Sequence, residues 1–180
     1  FVTAGERADA VVVWATVDKN LGKAAIKSFV IEKGTAGMTV TRLEKKLGIK
    51  ASDTASISFN DCRVPRANLL GSEEVNVDKG FAGVMQTFDN TRPVVAAMAV
   101  GVATASIERT KELLAGQGID IDYKRPAKLS SHLKAEIYRM EAELEAARLL
   151  TIKAAWMADN GQPNSMDASI SKAKAGRVAN

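Results

Sequence analysis

Four consecutive residues carry the chemistry that this sequence offers most openly. In the run FDNTRPVVAAMAVGVATASIERT, Phe88 to Thr110, the residues Asp89, Asn90, Thr91 and Arg92 stand at the mouth of an otherwise small and apolar stretch. Asp89 and Arg92 are three apart, so on a helix they share a face and place a carboxylate acceptor beside a forked cationic donor. Such a pair can contact a polar ligand, with Arg92 as a donor and Asp89 as an acceptor. It can equally be an intrahelical ion pair worth only ~0.2 to 0.5 kcal/mol. From the residues alone the ion pair is the simpler reading. Pro93 follows at once, inside the same helical pattern. It lacks an amide hydrogen and clashes one turn back, which predicts a kink and backbone groups released beside these side chains.

The other candidates are weaker. His132 is the only histidine and sits in LSSHLKAE, where an exposed helix residue accounts for it; neither a metal site nor a Ser-His-Asp triad has the company it needs. The single cysteine, Cys62, excludes an internal disulfide framework and a multi-cysteine zinc site. It reads as a small structural residue in a reducing setting, and no metal is expected. Glu141 and Glu145, and Arg139 and Glu143, lie four apart and read as a solvated helix face. Trp14, Trp156 and the six methionines fall in apolar runs and are expected in the core. Neither G-x-G-x-x-G nor G-x-x-x-x-G-K occurs. The net charge of +4 is spread among mixed charges, with no basic stripe interleaved with aromatics, so nucleic acid is not an expected partner. No apolar run reaches the ~18 to 20 residues of a membrane helix.

The elements that position these residues fall into two blocks. Up to about residue 65 the chain reads as strands: ADAVVVWATV, IKSFVIEK, MTVTRLEKKLGI and TASISFNDCRV. In the last, Ala55, Ile57 and Phe59 alternate with Ser56, Ser58 and Asn60, the pattern of a half-buried strand. Residues 66–79 read as a connector. The period then changes. Phe81, Val84, Met85 and Phe88 are spaced as one helix face, predicting a helix from an N-cap near Asp78 to about Leu114. Its alanines and Gly101 make it thin. After the loop GQGIDIDYKRPAK, a second helix shows Leu129, Leu133, Ile137, Met140, Leu144, Ala147 and Leu150 on one face. DNGQPN breaks it after Met157, and Asn164 or Ser165 caps a third helix with Asp167 in its first turn. Strands followed by helices give an α+β chain rather than an alternating one. Phe1-Val2-Thr3 reads as mid-strand and AKAGRVAN stops within a helical pattern, so the sequence is read as an internal fragment of a longer protein.

These blocks, in this order, resemble the acyl-CoA dehydrogenase family. The similarity rests on FVTAGERADAVVV, LEKKLGIKASDTASISFNDCRVPRANLLG, GFAGVMQTFDNTRPVVAAMAVGVATASIE, EAARLLTIKAAWMADNG and SISKAKAG, nearly the whole chain, and is weakest around residues 115–135. The resemblance implies an antiparallel β-barrel-like or sandwich domain, here residues 1–70, followed by the first helices of a four-helix bundle, residues 71–180, both incomplete. It implies α,β-dehydrogenation of an acyl-CoA thioester as in fatty acid β-oxidation, with FAD as cofactor and an electron-transfer flavoprotein as acceptor. It further implies a homo- or hetero-tetramer in the bacterial cytoplasm, or alternatively the mitochondrial matrix. By the same resemblance Asp89, Asn90, Thr91 and Arg92 bind the acyl-CoA, chiefly its pantetheine arm, and Phe1, Val2 and Thr3 bind the flavin, with the Thr3 hydroxyl bonding near N5.

The sequence departs from the family in three places. Ala4 stands where asparagine is common. The catalytic glutamate of most members is expected beyond Asn180, so no glutamate here takes that role. The family's R-x-x-F-G block, whose arginine reaches the FAD pyrophosphate of a neighbouring subunit, has no counterpart in GQGIDIDYKRPAKLSS. Either Lys124, Arg125 and Lys128 substitute for it or this subunit lacks the contact. Two alternatives stay open beside the dehydrogenase: a non-catalytic partner subunit of a mixed assembly, which the missing block suggests, or a related flavoprotein oxidase acting on acyl-CoA or a nitroalkane.

Overall fold

Apolar alternation in the first block and 3.6-residue periodicity in the second become two compact units, Phe1–Gly83 and Val84–Asn180, in a computed structural model that describes residues 1–76, 81–124 and 131–180. The class is α+β with antiparallel sheets.

The first unit holds strands β1 (Val2–Thr3), β2 (Ala10–Thr16), β3 (Ile26–Glu32), β4 (Met38–Leu43), β5 (Thr54–Phe59) and β6 (Leu69–Leu70). They form two three-stranded sheets, ordered β1-β5-β4 and β2-β3-β6, with every pairing antiparallel. The β2–β3 register runs from Ala10 opposite Glu32 to Thr16 opposite Ile26. A 3₁₀ segment, Lys19–Ala25, joins the two strands, and the Asp18 side chain caps it by accepting from the Asn20 amide. Val11, Ala24, Ala25, Ile31 and Ala55 are buried.

Several sequence expectations need adjusting here. The connector begins with a 3₁₀ turn, Arg66–Asn68, and then β6, which pairs with Ser28 and Phe29 of β3. Two residues are too few to show alternation, and the Asn68 side chain donating to the Val30 carbonyl at 2.9 Å holds the turn instead. In β5 only Ala55 is buried and Phe59 is exposed, so the period-two pattern marks a strand but overstates its buried face.

The second unit holds α1 (Ala82–Ala115), α2 (His132–Asp159) and α3 (Ser165–Val178). The expected cap at Asp78, and Leu129 of the expected apolar face, lie outside the described residues. Helix α1 runs as one helix through Pro93, and α2 ends two residues later than Met157. The centre is built from Ala96, Ala147 and Ala175, with Ala99, Val100 and Val178 packed against it. Ile137, Leu144, Ala154 and Ala168 are also buried. Small side chains let helix backbones approach closely, as those of α2 and α3 do. Trp156 is 54% exposed and Met166 71%, while Leu133, Met98 and Met140 also face outward, as do Met85 and Trp14. In this chain taken alone both tryptophans and Met85, Met98, Met140 and Met166 lie at the surface, whereas Met38 and Met157 are partly buried, and the centre between the helices is lined by alanines. Among the described residues, no helix is long and apolar enough to cross a membrane.

Candidate functional site

Helix α1 brings Asp89 and Arg92 together as their spacing requires. The Arg92 Nη1 donates to Asp89 Oδ1 at 2.7 Å, and the two side chains are only 25% and 15% exposed. The guanidinium carbon also lies 5.8 Å from the centre of the Phe88 ring, within cation–π range. Thr91 turns its hydroxyl back to the Phe88 carbonyl at 3.4 Å, the usual habit of a helical threonine. Asn90 is exposed. The four residues therefore divide: a half-buried ion pair, a hydroxyl aimed at its own helix, and a free-standing amide at the surface.

Pro93 is buried and has the consequence its chemistry dictates. A helical carbonyl is normally capped by the amide four residues on, so Pro93 leaves the Asp89 carbonyl without that donor. The side chain of Asn164 supplies one instead, with Nδ2 3.5 Å from Asp89 O and 3.0 Å from Ala154 O. Asn164 is the N-cap of α3, yet its side chain makes no capping bond. The cap thus falls at one of the two expected positions, but its amide is committed to two carbonyls rather than to the α3 backbone. Asp167 does sit in the first turn of α3 and pairs with Lys153 at 2.9 Å. Sequence reasoning assigned no site role to Asn164, which is 75 residues from Asp89. The only signal was indirect: a buried helical proline implies a carbonyl in need of a donor.

Phe1, Val2 and Thr3 belong to the other unit. Val2 and Thr3 pair with Ala55 and Thr54. Phe1 is 87% exposed and Thr3 is exposed. The turn that follows is tightly held. Ala4 has φ +57, a region favouring glycine or asparagine. The Ala4 amide donates to the Asp53 carbonyl at 2.9 Å, and the Asp53 carboxylate accepts from the Glu6 amide at 3.0 Å and Arg7 Nε at 2.8 Å. The Glu6 amide, then the Arg7 guanidinium, hold the Asp53 carboxyl below its ordinary value. Gly5 is buried, and a Cβ there would meet Ala55 Cβ at 2.9 Å.

A second polar cluster was read from sequence as solvated surface, and the structure corrects this. Glu141 accepts from Lys111 Nζ at 2.8 Å and from the Tyr123 hydroxyl at 2.6 Å, and Lys111 also donates to Tyr123. Burial pushes the Glu141 carboxyl up, but the Lys111 and Tyr123 bonds outweigh it and leave it below the ordinary glutamate value. The Tyr138 hydroxyl donates to the Asp122 carbonyl at 2.5 Å. Together these bonds tie the start of the α1–α2 loop to both helices, a role that spacing along one helix cannot reveal. Glu143 likewise pairs with Lys174 across to α3. Of the loop cations, Lys124 is described and exposed, whereas Arg125 and Lys128 lie outside the described residues. His132 is exposed at the first turn of α2. Among the described residues, no group of His, Cys, Asp and Glu is arranged to hold a metal ion.

Comparison with known proteins covers both units. Residues 1–62 match the acyl-CoA dehydrogenase middle domain and residues 78–180 the acyl-CoA dehydrogenase C-terminal domain. The chain is 36% identical over 179 residues to the short-chain specific acyl-CoA dehydrogenase of Megasphaera elsdenii, covering 99% of this chain and 45% of that protein. The solved butyryl-CoA dehydrogenase of Megasphaera elsdenii is similar with a TM-score of 0.80 and 36% identity, over 98% of this chain and 44% of that one. A chain solved in work on the electron transferring flavoprotein of Acidaminococcus fermentans gives a TM-score of 0.81 and 35% identity, over 98% and 44%. The chain thus spans less than half the length of the relatives it matches.

Proposed function

The chain belongs to the acyl-CoA dehydrogenase family, and we propose that the protein containing it is an FAD-dependent enzyme that removes hydrogens from the α and β carbons of an acyl-CoA thioester. The observation that carries this reading is the match of both units, in order, to the middle and C-terminal domains of one enzyme family. In it the β unit, residues 1–70, is part of a barrel-like or sandwich domain. The helical unit, residues 71–180, contributes the first helices of a four-helix bundle.

When bound, FAD supplies the acceptor for the β hydride. The chain's own residues hold the reactants. Thr3, Phe1 and Val2 would hold the flavin, on an edge kept in place by the Asp53 clamp. Arg92 and Asp89 hold the acyl-CoA through its carbonyl, hydroxyl and amide groups. Their partial burial strengthens such bonds over those of an exposed pair. Asn90 and Thr91 complete that contact surface. The exposed Met98, Val102, Trp156 and Met166 form apolar surface of the kind that subunit contacts cover, in keeping with a homo- or hetero-tetramer. An electron-transfer flavoprotein takes the electrons onward, in the bacterial cytoplasm or the mitochondrial matrix.

The test is the full-length protein. It should carry a visible flavin band that bleaches anaerobically when a short-chain acyl-CoA is added, the short chain being the one named for the Megasphaera elsdenii relative. A colourless protein that gains activity only with a flavin-bearing subunit identifies the non-catalytic partner instead. Rapid reoxidation by oxygen identifies an oxidase.

A further inference from the structure

We propose that Asn164 is a positioning residue of the acyl-CoA site: its carboxamide takes over the backbone carbonyl that Pro93 leaves without a donor, and so fixes the helical turn carrying Asp89 and Arg92. The inference rests on the reading of Asp89 and Arg92 as ligand contacts.

Four observations converge on it. Asn164 is 93% buried, with 7% of its surface exposed, and a buried amide must find partners for its two hydrogens. It has two acceptors, the carbonyls of Asp89 on α1 and of Ala154 near the end of α2. The Asp89 carbonyl is the one acceptor in α1 that Pro93 deprives of its usual amide. Asparagine is also a favoured N-cap, yet at this N-cap the side chain makes no bond to the α3 backbone. The side chain is therefore used away from its own helix. One amide links the turn of α1 that bears the ion pair to the end of α2 and the start of α3. Without it, the Asp89 carbonyl must tilt toward water, and that movement rotates the turn presenting Asp89 and Arg92.

A structural residue and a positioning residue differ in what Pro93→Ala does. That substitution gives residue 93 an amide hydrogen, which returns to the Asp89 carbonyl and makes the Asn164 donor redundant. The experiment uses full-length holoenzyme in native, Asn164→Ala, Pro93→Ala and doubly substituted forms. The probe is acetyl-CoA, which has no β carbon to oxidise, titrated by its perturbation of the flavin band. Melting temperature and flavin content are measured alongside. Asn164→Ala is expected to weaken binding about threefold to tenfold, the range a single hydrogen bond is worth, with flavin content unchanged. In the Pro93→Ala background the same substitution should cost less than about twofold. Equal losses in the two backgrounds, or no loss in the native background while Arg92→Ala weakens binding, overturn the proposal. Unchanged affinity in Arg92→Ala overturns the reading of the ligand site itself, and the positioning role with it. If Asn164→Ala does not fold, Asn164→Ser replaces it, since serine is a favoured N-cap residue and lacks the two-donor amide.

Discussion

Replacing Arg92 by alanine separates the two roles that its geometry allows. As part of the helix, Arg92 makes a 2.7 Å ion pair to Asp89 and lies 5.8 Å from the Phe88 ring. An i,i+3 pair contributes about 0.2 to 0.5 kcal/mol, and a partly exposed cation–π contact about 0.5 to 1 kcal/mol. Loss of both therefore costs about 1 kcal/mol of stability, a shift of a few degrees in melting temperature. As a ligand contact, the same guanidinium donates to a carbonyl or hydroxyl at a half-buried position. A hydrogen bond from a charged donor is worth about 1.5 to 3 kcal/mol, or about tenfold to a hundredfold in dissociation constant. The assay is acyl-CoA titration of full-length Arg92→Ala by flavin absorbance, with flavin content and melting temperature measured on the same preparations. The expected result is a small thermal shift, unchanged flavin content and a dissociation constant raised at least about tenfold. Arg92→Lys should recover only part of the affinity, because an ammonium cannot reproduce the planar fork. A small thermal shift with unchanged affinity would exclude the ligand contact and leave Arg92 as support for its own helix.

Three further outcomes are expected. Ala4→Gly should stabilise the protein by about 0.5 to 2 kcal/mol in chemical denaturation, because φ +57 at Ala4 strains a residue with a Cβ and does not strain glycine. Gly37→Ala should destabilise it by at least about 1 to 3 kcal/mol, since Gly37 has φ +87 and a Cβ there would collide with the Asn60 carbonyl and the Cys62 backbone. Glu141→Gln should flatten the acid limb of a stability-versus-pH curve. The Glu141 carboxyl is held below its ordinary value of 4.5, so its contribution is complete above that pH and disappears as pH falls through the lower folded value. An acid limb identical in Glu141→Gln would place the acid sensitivity elsewhere, with Asp53 the next group to test.

The order of elements was legible because period decides it. The Ala55-Ile57-Phe59 alternation and the Phe81-Val84-Met85-Phe88 spacing each belong to one kind of backbone, and both fall in elements of that kind or at their ends. Which face turns inward was less legible. Hydrophobicity ranks Trp156, Met98 and Leu133 above alanine, but the helices meet through Ala96, Ala147 and Ala175. Close approach of backbones favours the smallest side chains, so size overrides hydrophobicity at that contact. The role of Glu141 was hidden for a related reason. Its charge spacing on α2 resembles a solvated stripe, and the partners that desolvate it, Lys111 and Tyr123, lie 30 and 18 residues away.

The candidate ligand site was legible to the same depth. Spacing alone put Asp89 and Arg92 on one face, and the ion pair forms there. Spacing could not say what keeps that turn in place. Pro93 was the pointer: a proline within a helix removes one donor, and a buried helix must recover it from somewhere. The residue that recovers it, Asn164, has an amide with two hydrogens, a buried position and a helix N-cap that its side chain leaves unused. A proline in the middle of a helix and an asparagine at the start of another thus form one device. The first creates a vacant acceptor beside the ion pair, and the second ties that acceptor to the neighbouring helices. On this argument the proline is tolerated because the turn it weakens is the turn that three helices hold in common.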